Sequence, residues 1–336
     1  MHSIPSNSRK HQPSNILHWC IDLYRCITHF GRNIEEGRWV DVLRKRWGEG
    51  WNQILCLWRL TAGKEDNETI ANIFWTCILD LLDNLASLIW RRFRLDQFAS
   101  LPFHHAMGGL GPLVSSFLTT WIFLKGDGIK KLFAKCLQIQ PFIYLALALF
   151  SPFILAFVAV LMSWFIDKTP VDLSGLLRTR EFPQFNLLTF FIYNLIFFGF
   201  GEEVGWRGFA LPRLQNKFSA LTAGLILTVF WAIWHLPLFF YRPGYTSMDF
   251  AGMAGWIFSL LTGSILLTWL YNSSKASILI CAVFHSTTDI AFTADVASIN
   301  VINYIGFLIT VWGILTILIF RPKNLATNDR EKIAGI

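Results

Sequence analysis

Long apolar segments separated by short polar ones dominate the chain from residue 101 onwards. Seven of these segments are long enough for a helix of about 20 residues, the length that crosses a hydrocarbon core about 30 Å thick. They cover residues 103–124, 141–166, 185–201, 219–241, 250–271, 276–294 and 300–320. The pattern predicts an all-α fold, a polytopic bundle of transmembrane helices with seven spans.

An eighth apolar segment, around residues 69–90, is harder to assign because it contains Asp80 and Asp83. Two interpretations fit it equally well. It is either a poor span packed against protein or an amphipathic helix that lies at the membrane surface. We therefore assign residues 69–100 as a marginal span or an interfacial helix.

The first 68 residues have a different pattern. Ile16, Cys20, Leu23 and Ile27 recur at helical spacing, and Trp and Arg are interleaved further along. Such a composition suits the headgroup layer of a membrane. We interpret residues 1–68 as an amphipathic, Trp/Arg-rich N-terminal extension, and nothing in the segment identifies a ligand.

Composition supports a protein embedded in a lipid bilayer rather than a soluble one. Hydrophobic residues make up 54% of the chain and charged residues 15%, whereas about a quarter of a soluble domain is charged. The six cysteines are scattered, without the spacing of a zinc site or a disulfide scaffold. The net charge of +7 does not indicate a nucleic-acid partner, because membrane proteins carry excess Lys and Arg on cytoplasmic loops.

The polar segments give a prediction of location. Met1–Ser14 contains no apolar run and therefore no secretory signal, which favours a bacterial plasma membrane. If the loop expected at 125–140 is cytoplasmic, that side carries more Lys and Arg than the other. The polar C-terminal tail, residues 321–336, is then cytoplasmic.

Ionisable side chains within the spans fall into three clusters. Burying one such group in a span costs about 2.5–3.5 kcal/mol, so its presence needs a reason. Residues 201–208 (GEEVGWRG) end the third span, residues 231–237 (WAIWHLP) lie deep in the fourth, and residues 285–289 (HSTTD) lie in the middle of the sixth.

Helical spacing predicts pairs within these clusters. Glu203 and Arg207 are four residues apart and share a helix face, so they can form an ion pair. Glu202, which directly precedes Glu203, lies on a different face of the helix and is therefore free to point away from this pair. His285 and Asp289 are also four apart, which lets the carboxylate orient the imidazole.

The second cluster predicts a pocket at the end of a helix. Trp231 lies one turn from His235 and is expected to form a wall of its pocket. Pro237 is expected to end or kink the helix, because proline lacks the amide hydrogen that the helix needs.

Together, the clusters supply the groups that activate water. A carboxylate takes a proton as general base, and imidazoles stabilise an oxyanion, shuttle protons or bind a metal. The set predicts hydrolysis of a buried amide bond.

Taken singly, each group also fits another role: a helix–helix hydrogen bond for a histidine, a structural pair for Glu203–Arg207, or a proton relay in a transporter for His285–Asp289. A transporter would call for repeated halves, and the sequence contains no internal repeat.

The three clusters, in this order, resemble the motifs of the CAAX protease and bacteriocin-processing (CPBP) family of intramembrane endopeptidases. This family is also called the type II CAAX prenyl endopeptidase or lysostaphin-resistance-like family. Its motifs, EExxxR, FxxxH and HxxxN or an Asp variant, correspond here to residues 202–207, 231–235 and 285–289. The resemblance identifies residues 101–320 as a CPBP-like intramembrane protease core.

The resemblance implies roles for individual residues. Glu202 activates the water with Glu203 beside it, and Arg207 supports the glutamates or the carboxylate of the substrate. His235 and His285 flank the reacting carbonyl group.

Two residues depart from the family pattern. Asp289 takes the place of Asn, which adds an acceptor. Trp231 takes the place of Phe, an apolar change expected to leave the chemistry intact.

The resemblance also implies that no cofactor is needed, because the family is viewed as glutamate-dependent. A zinc ion, which is not favoured, would bind to His235, His285 and Glu202. The expected substrate is a membrane protein or a peptide, such as a CAAX-type prenylated protein or a peptide leader. The alternative is a non-proteolytic immunity, scaffold or regulatory membrane protein of the same family.

Overall fold

The computed structural model describes residues 106–332, except for 107, 171–174, 176–177, 180–181, 183, 237, 243 and 296–298. The predictions for residues 1–68 and 69–100 lie outside the described residues. In the described part we number the helices α1 (Gly111–Cys136), α2 (Phe142–Asp167), α3 (Leu187–Lys217), α4 (Ala220–His235), α5 (Leu238–Tyr241), α6 (Phe250–Ser273), α7 (Ile278–Thr293) and α8 (Ile299–Asn324). This part of the chain contains no β-strand, so the predicted all-α fold is confirmed.

Four helices are long and apolar enough to cross a membrane: α2, α3, α6 and the Asn300–Asn324 part of α8. The helices α4 and α7 are apolar but shorter, with 16 residues each, or about 24 Å. Large apolar side chains point outward from the bundle, such as Phe165 on α2 and Leu318 on α8. A helical membrane bundle is therefore confirmed, and the number of seven spans stays a prediction.

Side-chain caps fix where three central helices begin. Ser219, Asp249 and Ser277 each accept a hydrogen bond from a backbone amide three residues on, at 3.1, 2.7 and 3.1 Å. A polar side chain before the first turn satisfies an amide that has no partner within the helix. These caps set the starts of α4, α6 and α7.

The segment expected as a loop at 125–140 is helical as far as Cys136, although a break in α1 agrees with the predicted end of the first span at residue 124. The helix bends at Lys125, whose φ of 54° and ψ of −148° are not helical. After the bend, Leu132 and Cys136 are both only 6% exposed. Their burial at helical spacing explains why the chain resumes a helix there. A similar break at Arg321 in α8 agrees with the predicted end of the last span at residue 320.

Helix α3 does not end near residue 201, as the charged residues there suggested, but continues to Lys217. Two π-helical stretches, Leu195–Phe200 and Val204–Ala210, lie on either side of the glutamates. Widened turns of this kind are frequent at functional sites. The two adjacent carboxylates therefore lie near the middle of a long helix rather than at its end.

The middle of α3 packs between α1 and α7, while α6 packs against α4 and α8, and α2 against α7 and α8. Two glycines permit the close approach. A Cβ at Gly199 would lie 2.5 Å from Ser286 Oγ on α7, and one at Gly201 would lie 2.5 Å from the carbonyl oxygen of Gly109, just before α1. This packing brings the motif residues of α3 and α7 together.

Candidate functional site

The three motifs meet in the interior of the bundle. Glu202 is 2% exposed, Glu203 and Arg207 are fully buried, and His285 is 8% exposed. They come from α3 and α7, and α4 contributes the residues of the second motif. The second motif was expected deep in the fourth span, but His235 is the last residue of α4 and is only half-buried. The helix ends two residues before Pro237, consistent with the effect expected of proline.

The predicted pair between Glu203 and Arg207 is present. Arg207 Nη1 donates to Glu203 Oε1 at 3.0 Å, and Arg207 Nη2 donates to Ser264 Oγ on α6 at 3.2 Å. His285 Nδ1 lies 2.8 Å from the same Oε1 atom. One carboxylate oxygen thus joins the guanidinium of α3 to the imidazole of α7, which lowers the cost of burying each charged group.

The predicted neighbours His285 and Asp289 face each other at ion-pair distance, but His285 also has a closer partner that was not predicted. Asp289 Oδ2 lies 3.7 Å from His285 Nε2, too far for a hydrogen bond. The closer partner is Glu203, on another helix. Because a carboxylate accepts, Nδ1 carries the hydrogen in that bond, and Nε2 faces Asp289. Spacing within one helix could not reveal this partner, which is 82 residues away in the sequence.

Glu202 points away from this pair, as the spacing predicts, and meets Trp231 on α4. The indole Nε1 donates a hydrogen bond to Glu202 Oε2 at 2.7 Å. The guanidinium carbon of Arg207 lies 4.7 Å from the centroid of the same indole, a distance typical of a cation–π contact. Trp231 therefore does more than form a pocket wall, and the sequence interpretation missed its role as a donor.

The two imidazoles lie against the same indole. The centroid of Trp231 is 5.5 Å from that of His235 and 5.6 Å from that of His285. His235 Nδ1 lies 2.7 Å from the carbonyl oxygen of Trp231. Since a carbonyl only accepts, Nδ1 carries the hydrogen and Nε2 is the nitrogen that remains to exchange a proton.

Aromatic rings surround His235. Trp234, Trp256 and Tyr245 have ring centroids 4.9, 5.9 and 6.5 Å from the imidazole, and Tyr245 is stacked on it. Tyr245 lies between α5 and α6, and burial raises the pKa of its phenol, which therefore stays neutral. Sequence analysis missed Tyr245 and Trp256, as it missed Ser264, because none of them belongs to the three clusters of ionisable residues.

The described residues were also compared with the arrangement that a metal ion requires. Among the described residues, no three His, Cys, Asp or Glu side chains are arranged to hold a metal ion. The alternative set of His235, His285 and Glu202 is thus not in a ligating arrangement. That no cofactor is needed stays a prediction.

Comparison with known proteins identifies the same part of the chain. A model of the family described as Type II CAAX prenyl endopeptidase Rce1-like matches residues 184–291. This segment runs from just before α3 almost to the end of α7 and contains every candidate catalytic residue. The resemblance to the CPBP family is therefore confirmed.

One curated relative is similar over part of its length. CAAX prenyl protease 2 of Methanococcus maripaludis is 33% identical to this chain over 89 residues. The match covers 25% of this chain, which spans only 32% of the length of that relative.

Proposed function

We propose that this chain, whose residues 184–291 match the CPBP family, is an intramembrane endopeptidase that hydrolyses a peptide bond with water activated by Glu202. The observation that carries the proposal is the meeting of α3, α4 and α7 at one indole. Trp231 holds the carboxylate of Glu202 and lies within 5.6 Å of the rings of His235 and His285. A general base and two proton-transferring groups thus surround one buried position.

The proposed reaction begins when Glu202 takes a proton from water and the remaining hydroxide attacks the carbonyl carbon of the scissile bond. The oxygen on which negative charge develops accepts a hydrogen bond from Nε2 of His235 or His285 in its imidazolium form, because Nδ1 of each ring already binds another group. When the carbon–nitrogen bond breaks, the proton held by Glu202 passes to the departing amine. Glu202 returns to the carboxylate form, and no further reactant is consumed.

Arg207 and Glu203 support the reacting groups in this proposal. Two roles were open for Arg207, support of the glutamates or binding of the substrate carboxylate. Because its side chain is fully buried and binds Glu203 and Ser264, we propose the first role. Glu203 holds Nδ1 of His285 and so sets which imidazole nitrogen faces the reaction.

The proposed substrates are membrane proteins or peptides. The name of the relative, CAAX prenyl protease 2, supports a CAAX-type prenylated protein as one class, and peptide leaders are the other class that the family resemblance implies. We propose that the reaction takes place in a bacterial plasma membrane, with the C terminus in the cytoplasm.

The test is a cleavage assay on detergent-purified wild type and Glu202→Ala, with a pool of prenylated and unprenylated peptides read by mass spectrometry. Loss of the general base should reduce cleavage by about 10²–10⁴-fold. His235→Ala and His285→Ala should also abolish most of the cleavage. The assay is repeated with a chelator, and unchanged cleavage supports catalysis without a metal.

The matched control is Asp127→Ala, which removes a carboxylate from the surface of α1, where its side chain is 92% exposed. It should cleave like the wild type. Equal cleavage by Glu202→Ala would contradict the proposed role of that residue. Absence of cleavage by folded wild type over the whole pool would favour the immunity, scaffold or regulatory alternative.

A further inference from the structure

Trp231 stands where the second motif of the CPBP family has Phe, and this difference adds a hydrogen-bond donor to the site. A phenyl ring donates no hydrogen bond, whereas an indole always can. In this structure the indole N–H is directed at the carboxylate of Glu202, with a donor–acceptor distance of 2.7 Å. Both residues are buried, Trp231 at 6% and Glu202 at 2% exposure. The bond is therefore shielded from competing water.

Burial alone does not account for this bond. Trp206, Trp234 and Trp269 are also buried, and the indole nitrogen of each has no hydrogen-bond partner among the described residues. The bundle thus tolerates buried indoles without a partner. The contact between Trp231 and Glu202 is a specific feature of this position rather than a general consequence of packing tryptophan.

The face of the same indole contacts the second half of the site. Arg207 lies 4.7 Å from its centroid and binds Glu203. Trp231 therefore holds Glu202 through its edge and the partner of Glu203 through its face. One side chain thus binds the carboxylate of Glu202 directly and contacts the guanidinium that binds the carboxylate of Glu203.

We propose that Trp231 is a positioning residue for Glu202. Because an indole N–H only donates, Oε2 of Glu202 always acts as acceptor in this bond. The bond lowers the basicity of Oε2, so the proton taken from water goes preferentially to Oε1, and rotation of the carboxylate is opposed because it would break the bond. This inference rests on the proposed function of Glu202 as the general base.

The kinetic test compares Trp231→Phe with Trp269→Phe in the cleavage assay. Trp269 is the matched control, since it is also 6% exposed and its N–H has no partner among the described residues. Losing a hydrogen bond to a charged group should lower the kcat of Trp231→Phe by about tenfold or more. KM should change by less than about twofold, because the bond acts on the base and not on substrate binding. Trp269→Phe should keep both constants.

A second measurement does not depend on activity. The unfolding midpoint is measured for wild type, Trp231→Phe, Glu202→Ala and the double variant. In the wild-type background, Trp231→Phe leaves a buried carboxylate oxygen without its donor and should lower the midpoint by about 2–4 °C or more. In the Glu202→Ala background the same substitution should have a much smaller effect, because the acceptor is gone.

The outcomes separate this inference from the proposed function. Equal shifts of the midpoint in the two backgrounds, or a kcat of Trp231→Phe equal to that of wild type while Glu202→Ala is inactive, overturn the inference alone. Full cleavage by Glu202→Ala overturns the proposed function and, with it, the inference.

Discussion

Two buried polar clusters connect α3 to α6, and they contain different kinds of polar side chain. The charged cluster contains Glu203, Arg207, Ser264 and His285, and the amide cluster contains Gln215 and Asn272 with nearby backbone groups. In each cluster the bond between α3 and α6 joins residues 57 positions apart. The two helices therefore run in the same direction and keep their register over about 12 Å.

The amide cluster uses all of its hydrogen-bonding groups. The side chains of Gln215 and Asn272 donate to each other at 3.0 and 2.8 Å. Each also donates to a backbone carbonyl, of Glu331 and Asn324 respectively, and Asn272 accepts from the amide of Glu331. All four side-chain polar atoms are satisfied, as expected of a structural contact.

In the charged cluster, by contrast, some hydrogen-bonding atoms have no partner among the described residues. Glu203 Oε2 and Arg207 Nε have no hydrogen-bond partner among the described residues, although both residues are fully buried. Buried polar groups without partners reduce stability, so such groups need another explanation. The contrast indicates that the amide cluster holds α3 and α6 together, while the charged cluster retains hydrogen-bonding capacity that catalysis can use.

The largest effect on stability should come from Arg207→Ala. This change leaves the carboxylate of Glu203 buried without its guanidinium partner, a loss of about 3–5 kcal/mol in the free energy of unfolding. Urea or thermal unfolding of the purified protein in detergent measures it. The double variant Arg207→Met/Glu203→Gln removes both charges and should recover much of that stability while remaining inactive. A loss below about 1 kcal/mol in the single variant would contradict the assignment of a buried ion pair.

Asn272→Ala should lower the stability by less than Arg207→Ala does, and it should leave the rate of catalysis unchanged. It leaves the Gln215 side chain short of a partner, at a cost of about 1–3 kcal/mol. The kcat per folded molecule should equal that of wild type, in contrast to variants of the charged cluster. The double variant Asn272→Ala/Gln215→Ala should lose less than the sum of the single changes, because each change already breaks the shared bonds. A decrease in kcat would show that the two clusters are coupled.

Patterns within one helix were sufficient to predict part of this arrangement. The apolar segments indicated the helices, and the spacing of four residues indicated the pair between Glu203 and Arg207. These predictions need only the periodicity of a single helix. The same rule placed Asp289 beside His285, where it lies 3.7 Å from Nε2, but it could not show that Glu203 from another helix binds Nδ1 at 2.8 Å.

Other features depend on contacts that a single helix cannot encode. Ionisable residues were interpreted as the end of a span near 201, but α3 continues because Glu203, Arg207 and His285 bind one another inside the bundle. The bend at Lys125 is likewise followed by a helix only because the next apolar residues have a core to pack against. The donor role of Trp231 required knowing which side of α4 faces α3.

The polar tail predicted at 321–336 also has a tertiary role. Leu325 is fully buried and Ala326 is 6% exposed, and Glu331 bonds to the amide cluster through its backbone. The polar composition from which the tail was assigned carried no signal for this docking. The described part of the tail, up to residue 332, therefore packs on the ends of α3 and α6.

The smallest predicted losses of unfolding free energy concern two neighbouring residues of this tail, Arg330 and Glu331. Arg330 Nε donates to the carbonyl of Gln215 at 3.0 Å, so Arg330→Ala should cost about 0.5–1.5 kcal/mol of unfolding free energy. Glu331→Ala should cost less, because the backbone of Glu331 makes the bonds to Gln215 and Asn272 and survives the substitution. Burial raises the pKa of the Glu331 carboxyl, and Lys135 opposes that shift only in part, so removing the carboxyl relieves a desolvation cost. Unfolding midpoints of the two variants, measured side by side in one detergent, test this order. A larger loss for Glu331→Ala would mean that its side chain, and not its backbone, holds the tail on the amide cluster.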